Sequence, residues 1–443
     1  MKNILVLGAG LVSRPGVHYL LGHKDFRITV ASRTLHKAEA LVKGYENGIA
    51  ISLDINNTAE LVELIKGNDI VISLLPWIHH VKVAEHCLAQ NTHIATTSYV
   101  SKEMQVFDSE AKNKGLLFLN EIGVDPGIDH MSAMKIIDQV HSEGGKILHF
   151  YSYCGGLPAP EDNDNPFGYK FSWSPKGVVL ASRNSAHYLE NGENIIIEGK
   201  NLFVNPRLEE VDELGNFEVY PNRDSLPYKN LYGLHDALTV MRGTYRNIGW
   251  CATLKAIVDL GLVDETPIIK VKGMTFQQLL AELVGASESD NIRVKTAEIL
   301  NIEIASPILD RLEWLGLFSD ESVTNHDNLL DILSDRLQEK LFYKEGEKDM
   351  ILLQHKFTVE NKKKMKEFIT STLIDYGIPK GDSSMARTVS LPLAIGVKLI
   401  LTGKITLTGI QIPIMKEIYD PVLNELESMG IKMVEKISPK NSH

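Results

Sequence analysis

The sequence predicts an α/β protein: a doubly wound parallel sheet, then a second α/β domain of mixed sheet with a helical domain inserted into it. Three features predict this. Short β-branched runs alternate with helix-period stretches from Asn3 to Gly123, the rhythm breaks after "GVDPGIDH", and a mainly helical pattern occupies the stretch from about Thr253 to Lys340. In order, the strand-like runs are "NILVLG" from Asn3, "RITVAS" from Arg27, "GIAISLD" from Gly48, "DIVISLLP" from Asp69, "THIATTS" from Thr92 and "LLFLNEIG" from Leu116. Between them, Pro15 to Leu21, Leu35 to Val42, Thr58 to Ile65, His79 to Ala89 and Lys102 to Lys112 carry helical patterns. Runs this continuously apolar suit parallel strands buried on both faces, with ligands at their carboxyl ends.

Farther along, a helix is expected near Met131 to Val140, then the strand-like "KILHFYSYC" and a loop rich in Gly, Pro and Asp through Phe167. "FQQLLAELVG" and "NLLDILSDRLQEKL" carry the helical period of the inserted lobe. "DMILLQHKFTVE" and "KKMKEFITSTLIDYG" read as a hairpin completing the second sheet, and "SSMARTVSLPLAIGVKLILTG" as a long apolar-faced helix capped by Ser383 or Ser384. The last helix, in "IPIMKEIYDPVLNELESMG", is expected to pack back on the first domain and bring the chain ends close together. The expected division is 1–128 with about 385–443, 129–252 with about 341–384, and an inserted helical domain over about 253–340.

At 443 residues the chain needs more than one domain. A formal net charge of -11 disfavours nucleic acid and acidic membrane surfaces as partners. No apolar run reaches the roughly 20 residues of a bilayer span, and Met1 leads straight into a strand, so a cytoplasmic location is expected. Cys87, Cys154 and Cys251 are odd in number and lack C-x-x-C spacing, which argues against a disulfide framework and a zinc site. The histidines show no H-E-x-x-H spacing, and "EDNDNP" lacks the glycine and distant glutamate of a calcium loop, so no metal is expected. Small molecules are the expected partners; a homodimer is allowed but not required.

The turn after the first strand reads "GAGLVS". Gly8 suits the tight turn, Gly10 a close backbone approach to a pyrophosphate, and Ser13 stands where a third glycine is usual. The N–H groups opening the next helix would bind the pyrophosphate. After the second strand, where an acidic residue would select an unphosphorylated ribose, the chain places Ser32, Arg33 and Thr34. A guanidinium fork flanked by hydroxyls selects NADP, unless Arg33 merely pairs with Glu39. Asp54 either lines the adenine side or caps the Thr58 helix. "SLLPW" either passes beside the nicotinamide or simply ends the fourth strand at Pro76.

Substrate candidates are expected where the two domains meet. Ser98 and Tyr99 lie just past the fifth strand and Asp125 just past the sixth, although Tyr99 could be a half-buried aromatic and Asp125 a turn residue before Pro126 and Gly127. The loop "YCGGLPAPEDNDNPFGYKFSW" reads as a lid or binding loop, with Cys154 either near the reacting centre or a buried inert thiol. "VYPNRDS" and "MRGTYRN" carry Arg223, Arg242 and Arg246, and two arginine-bearing loops suit a substrate with several carboxylates.

The stretches "NEIGVDPGIDH", "SYCGGLPAPEDNDNPFGYKFSW", "YPNRDS", "LEWLGLFSD", "LLQHKF" and "SSMARTV" together resemble the saccharopine reductases, NADP-dependent and glutamate-forming enzymes of the aminoadipate route to lysine. The resemblance covers essentially the whole chain. It implies a Rossmann-type NADP(H) domain, an α/β substrate domain and an inserted helical domain. It also implies cofactor contacts from Gly8, Gly10, Leu11, Val12, Ser13, Ser32, Arg33, Thr34, Asp54, Ile55, Leu75, Thr97, Val124, Asp125 and Pro126. Ser98, Tyr99, Arg223, Thr244, Tyr245 and Arg246 would touch saccharopine, with Asp125 and Tyr99 orienting or relaying a proton and Cys154 nearby. The implied reaction joins glutamate and 2-aminoadipate 6-semialdehyde as an imine, which hydride from NADPH reduces to saccharopine. Two other readings stay open: a related reductase acting on a polyamine, such as carboxynorspermidine dehydrogenase, and a catalytically silent NADP sensor. A polyamine pocket should expose acids, and a sensor should bind without turnover.

Overall fold

In the computed structural model, which describes residues 1–439 except 174, 182, 268–270 and 272, the chain divides into two compact units. The first comprises Met1–Ile147 and Leu353–His443, the second Leu148–Leu352.

The first unit opens with the expected alternation: β1 (Lys2–Leu7), α1 (Arg14–Leu21), β2 (Phe26–Ser32), α2 (Leu35–Val42), β3 (Gly48–Ser52), α3 (Thr58–Ile65), β4 (Ile70–Ser73), α4 (His80–Ala89) and β5 (His93–Thr96). After β5 one helix was expected over Lys102 to Lys112, but two form: α5 (Lys102–Gln105) and α6 (Asp108–Asn113). The break has a local cause. Asp108 turns its carboxylate to the Ile410 N–H at 2.9 Å and to Lys112 at 2.7 Å, so it heads a new helix. Strand β6 (Leu117–Leu119) and helix α7 (Ile128–Ser142) follow.

All neighbours in the sheet are parallel, in the order Gly409–Gln411, β6, β5, β4, β1, β2, β3. Sequence order reverses between β1 and β4, the position where doubly wound sheets open a crevice at their carboxyl edge. Leu5, Leu7, Val71, Ile94 and Phe118 pack against residues of α3 and α4 such as Leu61, Ile65, Val83 and Cys87 to form a buried cluster.

The helix Ser384–Leu401 packs against α1. By length and composition it could cross a membrane, which the sequence reading did not anticipate, yet it is 72% buried inside the protein. Ser383 is its cap, accepting the Ala386 N–H at 3.0 Å, whereas Ser384 is buried and bonds the Asp375 carboxylate at 2.7 Å. A Cβ on Gly16 of α1 would stand 2.7 Å from the Ser390 carbonyl, and the Gly16 N–H donates to Ser390 Oγ at 2.9 Å. The close helix contact that a third glycine usually serves is therefore made at Gly16. Helix Lys416–Ser428 packs on α7, and its Tyr419 hydroxyl donates to Asp138 at 2.6 Å. Two strands of the first unit escaped the sequence reading: Gly409–Gln411, which extends the parallel sheet, and Val434–Pro439, antiparallel to Lys366–Tyr376. So did the five strands between Ala186 and Arg246, and "MRGTYRN", read as a loop, lies almost wholly in the strand Thr239–Arg246, which is buried at most positions and so shows no alternation. Strands Asp349–Glu360 and Lys366–Tyr376 form at the expected residues, and from Leu353 onward the chain groups with the first unit.

The second unit holds a mixed sheet: Arg207–Val211, Gly215–Pro221 and Thr239–Arg246 run antiparallel in turn, and Thr239–Arg246 runs parallel to Lys146–Pro158. A hairpin of Ala186–Glu190 and Glu193–Ile197 touches it at Val240 and Leu189. The helical stretch follows as Trp250–Asp259, Phe276–Leu283, Ile292–Leu300, Pro307–Trp314 and Leu329–Lys340.

Candidate active site

In the first unit the expected cofactor residues gather at the carboxyl edge of the parallel sheet, because each follows a strand of it. Gly8 takes φ 110°, and a Cβ there would meet the Leu74 carbonyl at 2.9 Å, so only glycine makes this turn without strain. Gly10 has open space where a Cβ would lie. Ser13 is buried; its Oγ accepts the Gly10 N–H at 3.0 Å and donates to the Gly8 carbonyl at 3.3 Å, tying the loop from within. The N–H groups of Leu11 and Val12 then have no partner among the described residues, and with the amino end of α1 they fit an anion. Arg33 is exposed and forms no ion pair among the described residues, with Glu39 or any other acid, and the Ser32 hydroxyl is turned to the Thr34 N–H at 3.3 Å. A 2'-phosphate would find a free guanidinium here.

Asp54 does not cap α3. Asn57 does, accepting the Glu60 N–H, while Asp54 closes a turn onto the Asn56 N–H at 3.0 Å and leaves its carboxylate exposed. The Ile55 side chain lies in the buried cluster and Leu75 packs against it, so Ile55 can meet a ligand only through its backbone. Trp77 and Ile78, beyond Pro76, are exposed. Thr97 packs against the Gly123 backbone, and Val124 and Pro126 accept the N–H groups of Asp129 and Gly123 in the turn that opens α7.

The same edge brings Tyr99 to Asp125: the phenol donates to Oδ1 at 3.2 Å. Around them lie polar groups that the sequence reading missed. His80 is buried, with Nδ1 2.8 Å from Ser73 Oγ and Nε2 2.8 Å from Ser98 Oγ. Burial, and then the neighbouring His79, pushes its imidazole down to about 4. Glu121 and His130 form a buried pair at 2.8 Å, and Glu121 Oε1 accepts the Val100 N–H at 2.9 Å. The Ser98–Val100 turn is thus held from two sides. Glu121 and His130 bracket the distinctive "NEIGVDPGIDH", the only signal that could have found them.

In the second unit, Thr244 stands beside Cys154 on adjacent strands, and Cys154 is buried. Arg246 is 5% exposed and ringed by Tyr169, Tyr220 and Trp250, with 4.9 Å from its guanidinium carbon to the nearest ring centre. Its Nη1 donates to the Tyr245 carbonyl at 2.8 Å, its Nε has no partner, and no carboxylate among the described residues pairs with it. A buried cation without a counter-ion is costly unless a ligand supplies the anion. Tyr245 itself is fully buried against Tyr153 and Phe217, so its ring is not available to a substrate and only its backbone is. Arg223 is exposed in the left-handed region at φ 57°, fixed by the His187 N–H on its carbonyl at 2.9 Å. Arg242 is buried against Tyr228, whose hydroxyl accepts from it at 2.8 Å.

The acids of "EDNDNP" are neither a calcium loop nor free in solvent. Asp164 pairs with Lys170 and Lys344 at 2.7 Å each, Glu161 with Lys348, and buried Lys170 also holds Glu347 at 2.7 Å. The segment read as a lid is stapled by these contacts. No group of side chains suited to a metal ion occurs among the described residues.

A doubly wound sheet with a phosphate turn and a free arginine, together with a sheet carrying an unpaired buried guanidinium, defines a dinucleotide-dependent oxidoreductase acting on an anionic substrate. Two family models match the chain: the saccharopine dehydrogenase NADP binding domain over residues 4–119 and the saccharopine dehydrogenase C-terminal domain over residues 123–431. The chain is 42% identical to the saccharopine dehydrogenase [NADP(+), L-glutamate-forming] of Schizosaccharomyces pombe, over 99% of each chain. It is 40% identical to the mitochondrial alpha-aminoadipic semialdehyde synthase of Bos taurus, over 97% of this chain and 47% of that one. The solved apo saccharopine dehydrogenase (L-Glu forming) of Saccharomyces cerevisiae superposes with a TM-score of 0.90 at 41% identity, covering 99% of this chain and all of that one. The chain belongs to the saccharopine dehydrogenase family.

Proposed function

We propose that the chain interconverts saccharopine, NADP and water with L-glutamate, 2-aminoadipate 6-semialdehyde and NADPH, in the aminoadipate route of lysine metabolism, and that it does so in the cytoplasm. The bound dinucleotide supplies or accepts the hydride. The Leu11 and Val12 N–H groups bind its pyrophosphate and Arg33 its 2'-phosphate, while Asp54 lines the adenosine side. Arg246 and Arg223 take carboxylates of the tricarboxylic substrate, helped by Thr244 and Ser98. The Tyr99 hydroxyl, oriented by Asp125, shuttles the proton as the carbinolamine loses water to form the imine, or as the imine takes up water to form the carbinolamine in the reverse direction. Cys154, beside Thr244, shapes the apolar wall.

The observation that carries this reading is Arg246, a buried guanidinium with no counter-ion among the described residues. It also disfavours the polyamine alternative, since a buried cation repels a cationic substrate. Replacing Arg246 with Met keeps the volume and removes the charge. Losing a charge-assisted bond of about 1.5–3 kcal/mol raises the KM for saccharopine about 10–100-fold, with the KM for NADP unchanged. Because the free cation is a burden to the fold, the variant's Tm does not fall. An unchanged saccharopine KM removes Arg246 from the site.

A further inference from the structure

We infer that His80 is a positioning residue, which turns the Ser98 hydroxyl proton outward as a hydrogen-bond donor for an anionic oxygen of the substrate. The inference rests on the assignment of Ser98 to the substrate site.

His80 is neutral at pH 7, burial having pushed it down to about 4, so one ring nitrogen carries a hydrogen and the other a single in-plane lone pair. Three hydroxyls surround the ring: Ser73 Oγ at 2.8 Å from Nδ1, and Ser98 Oγ at 2.8 Å and Thr96 Oγ1 at 3.3 Å from Nε2. Thr96 Oγ1 already accepts the Ser98 N–H at 3.4 Å. If Nδ1 held the hydrogen, fully buried Ser73 would accept it and its own proton would have no partner. Ser98, at 2.8 Å against 3.3 Å for Thr96, would then take the one lone pair on Nε2, leaving the buried Thr96 proton stranded as well. If Nε2 holds it, Ser73 donates to Nδ1 and Nε2 donates to Ser98, so the two protons left over are those of Thr96, which is buried, and of Ser98, which is only half-buried. The second arrangement strands fewer buried donors and is favoured. In it Ser98 has received a hydrogen bond from the ring, so its own proton points away from the imidazole. Ser98 itself is half-buried, unlike Ser73 and Thr96. The hydroxyl that must give up a partner inside the protein is the one that can find it in a ligand.

Three variants and one double variant test this through saccharopine and NADP kinetics. Ser98→Ala raises the KM for saccharopine about tenfold, the worth of one hydrogen bond to a charged group. His80→Asn, whose amide reaches only the Nδ1 position, does the same with the NADP KM unchanged. Added to Ser98→Ala, it costs no more than a further factor of about 2, because its effect runs through Ser98. Ser73→Ala, which leaves Ser98 untouched but removes the donor to Nδ1, also raises the saccharopine KM, and it keeps the test available if His80→Asn does not fold. If Ser98→Ala leaves the saccharopine KM unchanged, the assignment of Ser98 fails. If Ser98→Ala acts as expected but the His80 and Ser98 losses multiply, or Ser73→Ala leaves the saccharopine KM unchanged, the role given to His80 fails alone.

Discussion

Arg33 and His80 stand in opposite surroundings, and the roles proposed for them follow from that. Arg33 is exposed and forms no ion pair among the described residues, so its charge is available, and replacing it with Asp puts a like charge against a 2'-phosphate. The expected loss is about 10–100-fold in kcat/KM for NADPH and much less for NADH, read in parallel assays. Equal losses for the two cofactors would reject the assignment. His80 is buried and neutral, and the sign of its effect on stability follows. Its folded value of about 4 lies below the ordinary 6.5, so between those values the unfolded chain binds the proton and the folded chain does not. Stability from this group is intact above pH 6.5 and falls as the pH drops toward 4, by at most about 3 kcal/mol. His80→Gln should therefore lose less stability than the parent between pH 7 and pH 5 in denaturant titrations; a parallel loss would show that the imidazole titrates freely. Of these two residues only Arg33 was legible in the sequence, because its meaning comes from its place after a strand. His80 acquires its role from Ser73, Thr96 and Ser98, which three-dimensional pairing of β4 with β5 brings around it.

At the level of elements, the nucleotide-binding edge was readable because its signals are local: apolar strands, a glycine turn and helices of the right period. The departures in the first unit are non-local, whereas the second unit's missed hairpins, Ala186–Glu190 with Glu193–Ile197 and Arg207–Val211 with Gly215–Pro221, are local. Three residues, Gly409–Gln411, become a strand only because β6 offers them an edge, and Val434–Pro439 is exposed along its described side chains and shows no alternation. The α5–α6 break likewise depends on Ile410, some 300 residues after Asp108. The contact of α1 with Ser384–Leu401 was expected only in outline, and it has a sharp test. Gly16→Val places methyls against the Ser390 carbonyl, already 2.7 Å from a bare Cβ. We expect a loss of about 1–3 kcal/mol or more in unfolding free energy and weaker NADPH binding, since the same helix opens at the phosphate turn. A variant as stable as the parent would mean that the two helices can separate at no cost.

For the whole molecule, chain connectivity ties the cofactor-binding unit to the chain from Leu353 onward. The first unit is built from both ends of the chain, and the second lies wholly between them in sequence. Each unit carries one half of the proposed site: the glycine turn, Arg33 and Tyr99–Asp125 in the first, Arg223, Thr244 and Arg246 in the second. The most direct test of the central claim follows NADPH absorbance with purified protein, glutamate and 2-aminoadipate 6-semialdehyde, with NADH as the control. The account predicts oxidation that requires both substrates and is far slower with NADH. NADPH binding without turnover, or turnover indifferent to glutamate, would contradict it.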